Sequence, residues 1–173
     1  ESALTGHLVF STLHTNDAAS AVTRLIEMGV EPYLVASAVI GVGGQRLVRK
    51  ICPSCRASYK PAGEALELLT EHGYADSELF SGKGCLTCRR TGYSGRTAIH
   101  EIMTINEEIH SLILKSSSAR DIRHASIGAG MRTMRVDGII KAVKGVTTLE
   151  EVMRLTRGEE IRRVSSAKTG KTG

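Results

Sequence analysis

The sequence predicts an α/β chain in which a metal-binding segment is inserted between a strand-and-helix unit and a small helical bundle. Three observations predict it. A short apolar run from His7 to Leu13 leads into a capped amphipathic pattern, two Cys-x-x-Cys pairs stand 29 residues apart, and helical periodicity fills the final third. With 173 residues, 41% of them apolar and 24% charged, the chain has material for an ordinary core and no sign of wholesale disorder.

The elements follow in chain order. His7–Leu13 is rich in strand formers and reads as a buried strand after Gly6. Asn16 and Asp17 offer an N-cap to a helix whose apolar face is Ala18, Ala21, Val22, Leu25, Ile26 and Met28, closed by Gly29. This unit suits a parallel sheet. Pro32 stands where a first helical turn tolerates it, and the apolar stretch Leu34–Val42 reads as a buried helix ending at Gly43 and Gly44. From Gln45 to Ile51, apolar Leu47, Val48 and Ile51 are interspersed with Arg46, Arg49 and Lys50, leading into the first cysteine pair.

Between the pairs, Leu66, Leu68 and Leu69 predict one short helix from Gly63 to Gly73, with Gly82, Gly84, Gly92 and Gly95 punctuating irregular connections. So little other apolar content predicts a loop held by its metal and hardly at all by burial. Thr97–Ile105 reads as a strand. Asn106 then caps a helix bearing Ile109, Leu112 and Ile113. Val136, Ile139, Ile140 and Val143 mark a second helix, and Thr148 with Glu151 forms a capping box before Val152, Met153 and Leu155. The predicted division is 1–51 for the α/β part, 52–92 for the metal segment, 93–157 for a strand plus helices, and 158–173 for a flexible tail.

Cys52, Cys55, Cys85 and Cys88 are all the cysteines present, and a two-residue gap lets both thiolates of a pair face one ion. Structural Zn²⁺ is the leading expectation. A mononuclear iron centre shares the spacing, and disulfides are the other rival, disfavoured in a chain without a secretory signal. Four thiolates on Zn²⁺ carry a formal charge of about −2, and Arg49, Lys50, Arg56, Arg89 and Arg90 are expected to offset it locally.

A net charge of +5 permits an acidic partner, but the six aromatic residues, none of them Trp, leave few platforms for stacked bases. A zinc-ribbon nucleic-acid binder is the rival reading that the cysteine pairs and basic balance keep open. An interaction module docking on a membrane protein is a further reading. No apolar run reaches bilayer length and no signal pattern opens the chain, so it is expected to be cytoplasmic, and its start at Glu1 reads as the interior of a longer protein. Gly170-Lys171-Thr172 imitates the end of a P-loop, yet Ser165 stands where that motif needs glycine. His7 and His14 flank the first predicted strand, and spacing alone gives neither a role.

Thr5-Gly6-His7-Leu8-Val9-Phe10-Ser11-Thr12-Leu13-His14-Thr15-Asn16-Asp17-Ala18 resembles the histidine box of the secretion ATPase superfamily. Gln45–Arg49, the cysteine pairs, Gly92–Thr97 and Thr147–Val152 resemble its later stretches in order. The combination is most similar to the type II secretion assembly ATPase, with the type IV pilus extension ATPase second. That resemblance implies the C-terminal part of a RecA-like P-loop ATPase using ATP and Mg²⁺. It implies a homo-hexamer at the cytoplasmic face of the inner membrane, joined to platform proteins, with no nucleic acid as partner. It puts His7 and His14 near the γ-phosphate, and Gln45 and Arg46 beside the nucleotide. Walker A and Walker B residues are missing from this stretch, so the chain by itself is expected not to hydrolyse ATP.

Overall fold

The computed structural model describes residues 2–156; the predicted tail at 158–173 lies outside them. Helix α1 (Ala18–Glu27) opens as its sequence dictates. Asp17 is extended at the N-cap, its side chain accepts the Ser20 amide at 2.8 Å, and Gly29 leaves the helix at φ 91°. Helix α2 (Pro32–Ala38) is shorter than the apolar run suggests. Val39 turns extended and the chain enters strand β1 (Gly41–Ile51). A continuous apolar run is compatible with a buried helix or a strand, and here pairing with β4 (Tyr93–Thr104) decides it. The two strands are antiparallel, with Gly41 opposite Thr104 and Leu47 opposite Ala98.

The predicted first strand does not form. Residues 7–15 are neither strand nor helix, and Leu8, Val9 and Phe10 are 69%, 53% and 88% exposed. A strand exists through the hydrogen bonds of a neighbour, and no described residue pairs with this segment. Both sheets are two-stranded and antiparallel, so the expected parallel pairing is absent among the described residues.

Strands β2 (Arg56–Tyr59) and β3 (Leu79–Gly82) form the second ribbon, with α3 (Glu64–Glu71) between them. Helices α4 (Glu107–Leu114), α5 (Ala119–Gly128), α6 (Met134–Val143) and α7 (Leu149–Leu155) complete the chain. Asn106, Ser118, Thr133 and Thr148 cap them with side-chain oxygens. Helix α5 carries no clear sequence signal because its buried Ile122 is surrounded by Arg120, Asp121, Arg123 and His124.

One core packs α1, α2, α4 and α5 around Val22, Val35, Ile109, Ile113 and Ile122 with Met103 of β4. A second joins Val48 and Ile99 of the long ribbon to Met134. The third corrects the sequence expectation about the inserted loop. Leu69 of α3 and Leu79 of β3 are fully buried against Ile139, Ala142 and Leu149 of α6 and α7. Each such leucine contributes about 2 kcal/mol of burial, so the metal is not the loop's sole support.

A buried carboxylate ties the layers together. Glu101 lies on the inner face of β4 between Ile99 and Met103 and is 1% exposed. It accepts the Ala18 amide at 2.7 Å and the Met134 amide at 3.4 Å, the first residues of α1 and α6, and pairs with Arg123 at 3.4 Å. Burying a charge is tolerable only with such a full set of donors.

Candidate metal centre and the segments beside it

The first knuckle is the turn at Pro53–Cys55, where the long ribbon ends, and the second precedes β4. Two backbone bonds cross-link them: Cys52 donates to the Gly92 carbonyl at 2.9 Å and Lys83 to the Cys55 carbonyl at 3.0 Å. Two glycines make the crossing possible. A Cβ on Gly82 would drive into the carbonyl oxygen of Gly92, and a Cβ on Gly92, which has φ +77°, would come within 2.5 Å of the Gly82 oxygen. The second knuckle also bends the chain through the left-handed region at Arg89 (φ 52°) and Arg90 (φ 63°).

Cys52, Cys55, Cys85 and Cys88 converge so that all four sulfurs lie within 4.8 Å of one another. Sγ separations are 3.9 Å for Cys52 and Cys85, 3.9 Å for Cys55 and Cys88, and 3.7 Å for Cys85 and Cys88. A tetrahedron with metal–sulfur bonds of about 2.3 Å spaces its sulfurs by about 3.8 Å, whereas a disulfide needs about 2.05 Å. The four are free thiols, and the donor set fits one Zn²⁺ without a gap for water. Cys88 Sγ accepts the Cys85 amide at 3.2 Å and the Gly92 amide at 3.3 Å. The amide of Cys85 holds the Cys88 thiol down at about 6, while burial pushes Cys55 up to about 12. The amides of the second knuckle thus favour thiolate on one sulfur before any cation arrives.

The arginines expected to neutralise this centre divide. Arg49 donates to Glu151 through Nε at 3.1 Å and Nη2 at 2.7 Å, and its guanidinium lies 4.0 Å over the Tyr93 ring. Arg56 covers the Phe80 ring at 3.9 Å and reaches the Lys144 carbonyl at 3.4 Å. Arg56 therefore braces the metal lobe against the end of α6 while Arg49 ties β1 to α7 and β4, leaving Lys50, Arg89 and Arg90 exposed beside the knuckles.

Glu151 is the functional-looking residue that sequence reasoning misread. Thr148 does accept its amide at 3.2 Å, but its carboxylate does not complete the capping box. It is 2% exposed and clamps Arg49 and Arg154, joining α7 to β1. Burial works against its charge, but the bonds from Arg49 and Arg154 prevail and hold its carboxyl at about 2.

The histidine-box residues stand apart from the metal. His7 and His14 are exposed, with His7 Nδ1 3.0 Å from Thr5 Oγ1. Gln45 is exposed on β1, and Arg46 donates to the carbonyls of Leu155 and, at 3.1 Å, Asn16. Arg46 thereby links the end of α7 to the residues that follow His14.

An α/β chain with a four-thiol centre inserted between its ribbon strands defines a class that comparison with known proteins resolves. Residues 1–154 match the family described as Type II/IV secretion system protein, and the chain belongs to that family. It is 50% identical to the Type IV pilus assembly ATPase PilB of Thermus thermophilus over 90% of this chain and 18% of that protein. It is 48% identical to the Type II secretion system protein HxcR of Pseudomonas aeruginosa over 91% of this chain and 30% of that protein. With the Type II secretion system ATPase E of Vibrio cholerae it shares 43% identity over 91% of this chain and 31% of that protein. The chain thus spans less than a third of the length of these relatives. No helix among the described residues is long and apolar enough to cross a membrane.

Proposed function

We propose that this chain is the C-terminal portion of a cytoplasmic hexameric ATPase that powers pseudopilus assembly in type II secretion. Its fold would complete a RecA-like core, with helices α4–α7 as the C-terminal bundle and residues 52–92 as the metal subdomain. One observation carries the reading: four sulfurs converge on one point within a chain whose residues 1–154 match the secretion family. The 50% identity to a pilus ATPase favours type IV pilus assembly as the second reading.

Cys52, Cys55, Cys85 and Cys88 would hold Zn²⁺ in a structural role, pinning the two knuckles to each other. ATP and Mg²⁺ would supply the reacting phosphate and its charge neutralisation. Phosphoryl transfer is carried by positioning and electrostatics. His7 and His14 would orient hydrogen bonds at the γ-phosphate, and Gln45 and Arg46 would border the nucleotide. Arg46 bonds the Asn16 carbonyl, so it also fixes where the histidine box enters α1. Platform proteins of the inner membrane would be the parent's partners. A zinc-ribbon reading remains weaker, since the exposed aromatic residues it needs are scarce.

Steady-state ATP hydrolysis by the intact parent tests the reading. Turnover should fall on the order of 100-fold in His14→Ala, and this chain alone should show none. A parent that neither binds nor hydrolyses ATP removes the assignment.

A further inference from the structure

We infer that Glu101 is a positioning residue for the histidine box, holding the chain between His14 and helix α1 at a fixed place on the long ribbon, and that Gly44 lacks a side chain so that it can. The inference deepens the ATPase reading and rests on its placement of His14 at the γ-phosphate. Glu101 Oε1 accepts the amide of Ala18, the first residue of α1, at 2.7 Å. The residues between His14 and Ala18 are held as well. Arg46 donates to the Asn16 carbonyl at 3.1 Å, Thr15 Oγ1 donates to the Asp17 carbonyl at 3.2 Å, and Asp17 caps α1 through the Ser20 amide. Two paired strands therefore grip one short stretch of chain, β1 through Arg46 and β4 through Glu101.

Gly44 is the second observation. It stands opposite Glu101 across the ribbon, and a Cβ built on it would lie 3.0 Å from Glu101 Cγ and 3.3 Å from Oε1. A side chain there would press the carboxylate off the Ala18 amide. Neighbouring Gly43 carries no such demand, since a Cβ there meets nothing within 4 Å. Glu101 Oε2 faces donors too, taking the Met134 amide and the Arg123 guanidinium, both at 3.4 Å. An ionised carboxylate only accepts hydrogen bonds, so each of these contacts suits it and a neutral amide of the same size cannot supply them all. One side chain thus refers the entry of the histidine box to α5 and α6 as well as to the ribbon. A displacement of about 1 Å at a reacting centre can cost on the order of 100-fold in rate, so the hold on Ala18 matters to His14.

ATP hydrolysis by the intact parent tests this, with Glu101→Gln and Gly44→Ala each measured in the wild-type and the His14→Ala backgrounds. Rates are expressed per bound non-hydrolysable ATP analogue, so that misfolded protein does not count. Either substitution should lower kcat about tenfold and move KM for ATP by no more than about twofold, because a misplaced His14 alters the reacting geometry more than the grip on ATP. In the His14→Ala background each should cost roughly twofold or less, since the residue it positions is gone. Gly43→Ala is the matched control and should leave kcat and KM unchanged. If Glu101→Gln fails to fold, Gly44→Ala against Gly43→Ala carries the test. An equal loss in the two backgrounds, full activity in the folded variants, or the same loss in Gly43→Ala would each overturn the inference and leave the ATPase reading standing. A parent that is inactive, or that turns over normally as His14→Ala, removes the underlying reading and this inference with it.

Discussion

Glu151 shows how one side chain can hold two parts of a fold. Its carboxylate is depressed to about 2 because Arg49 and Arg154 outweigh the cost of burial. A depressed carboxylate stabilises the fold above its unfolded pKa of about 4.3, and that contribution disappears as pH falls toward 2. Allowing for solvent around the half-exposed arginines, it amounts to about 2 kcal/mol. Glu151→Gln should therefore lower thermal stability at neutral pH, and its melting temperature should approach that of the wild-type chain between about pH 4.3 and 2. Melts across that range measure it. Cysteines were legible in the sequence because Cys-x-x-Cys is a local pattern whose geometry is carried by one turn. Glu151 was not, because at a helix N3 position its sequence context is that of a capping box and its partner Arg49 lies about a hundred residues away. Glu101 left a fainter trace: in a strand alternating inward at Ile99 and Met103, a carboxylate at the intervening inward position is a sign of buried charge.

Among the elements, the crossing of β3 under the start of β4 is the least tolerant of change. Gly82→Ala places a methyl group into the Gly92 carbonyl, backbone against backbone, and neither side can rotate away. A cost of about 3 kcal/mol is expected from strain and overpacking together, and chelator competition should show zinc affinity reduced at least tenfold. The packing of α3 makes a separate prediction. Leu69→Ala should destabilise the chain by about 3 kcal/mol even with metal bound, checked by denaturant unfolding, whereas Leu66→Ala at the exposed face should change little. Helices α1, α4 and α7 were legible from their caps and apolar spacing, and α6 from its apolar spacing alone. The first strand was misjudged because composition supplies strand-forming residues and cannot supply the neighbour whose amides complete them. The end of α2 was misjudged for a related reason, since Val39 to Val42 suit either state until β4 lies alongside.

At the scale of the whole molecule, two of the three cores are built on the long ribbon, and only the third, between α3, β3, α6 and α7, reaches into the metal lobe. Removing the metal should therefore loosen the chain unevenly. Hydrogen exchange after chelation should accelerate at Cys52–Tyr59 and Leu79–Gly92 and, more weakly, in α6 and α7, while Ile109, Ile113 and Ile122 stay protected. Uniform loss of protection would show instead that the ion supports the entire fold. Family membership was legible from motif order, but the dependence of the helical layers on Glu101 and Arg46 is a property of three-dimensional convergence.

The burial of Leu69 and Leu79 against α6 and α7 also limits how such a sequence could be shortened. Cutting out the segment between the cysteine pairs and rejoining its ends would leave Ile139, Ala142 and Leu149 facing water. A viable shorter homologue must repaint that greasy patch with polar residues, or cover it with some other piece of chain, before it can do without the knuckles.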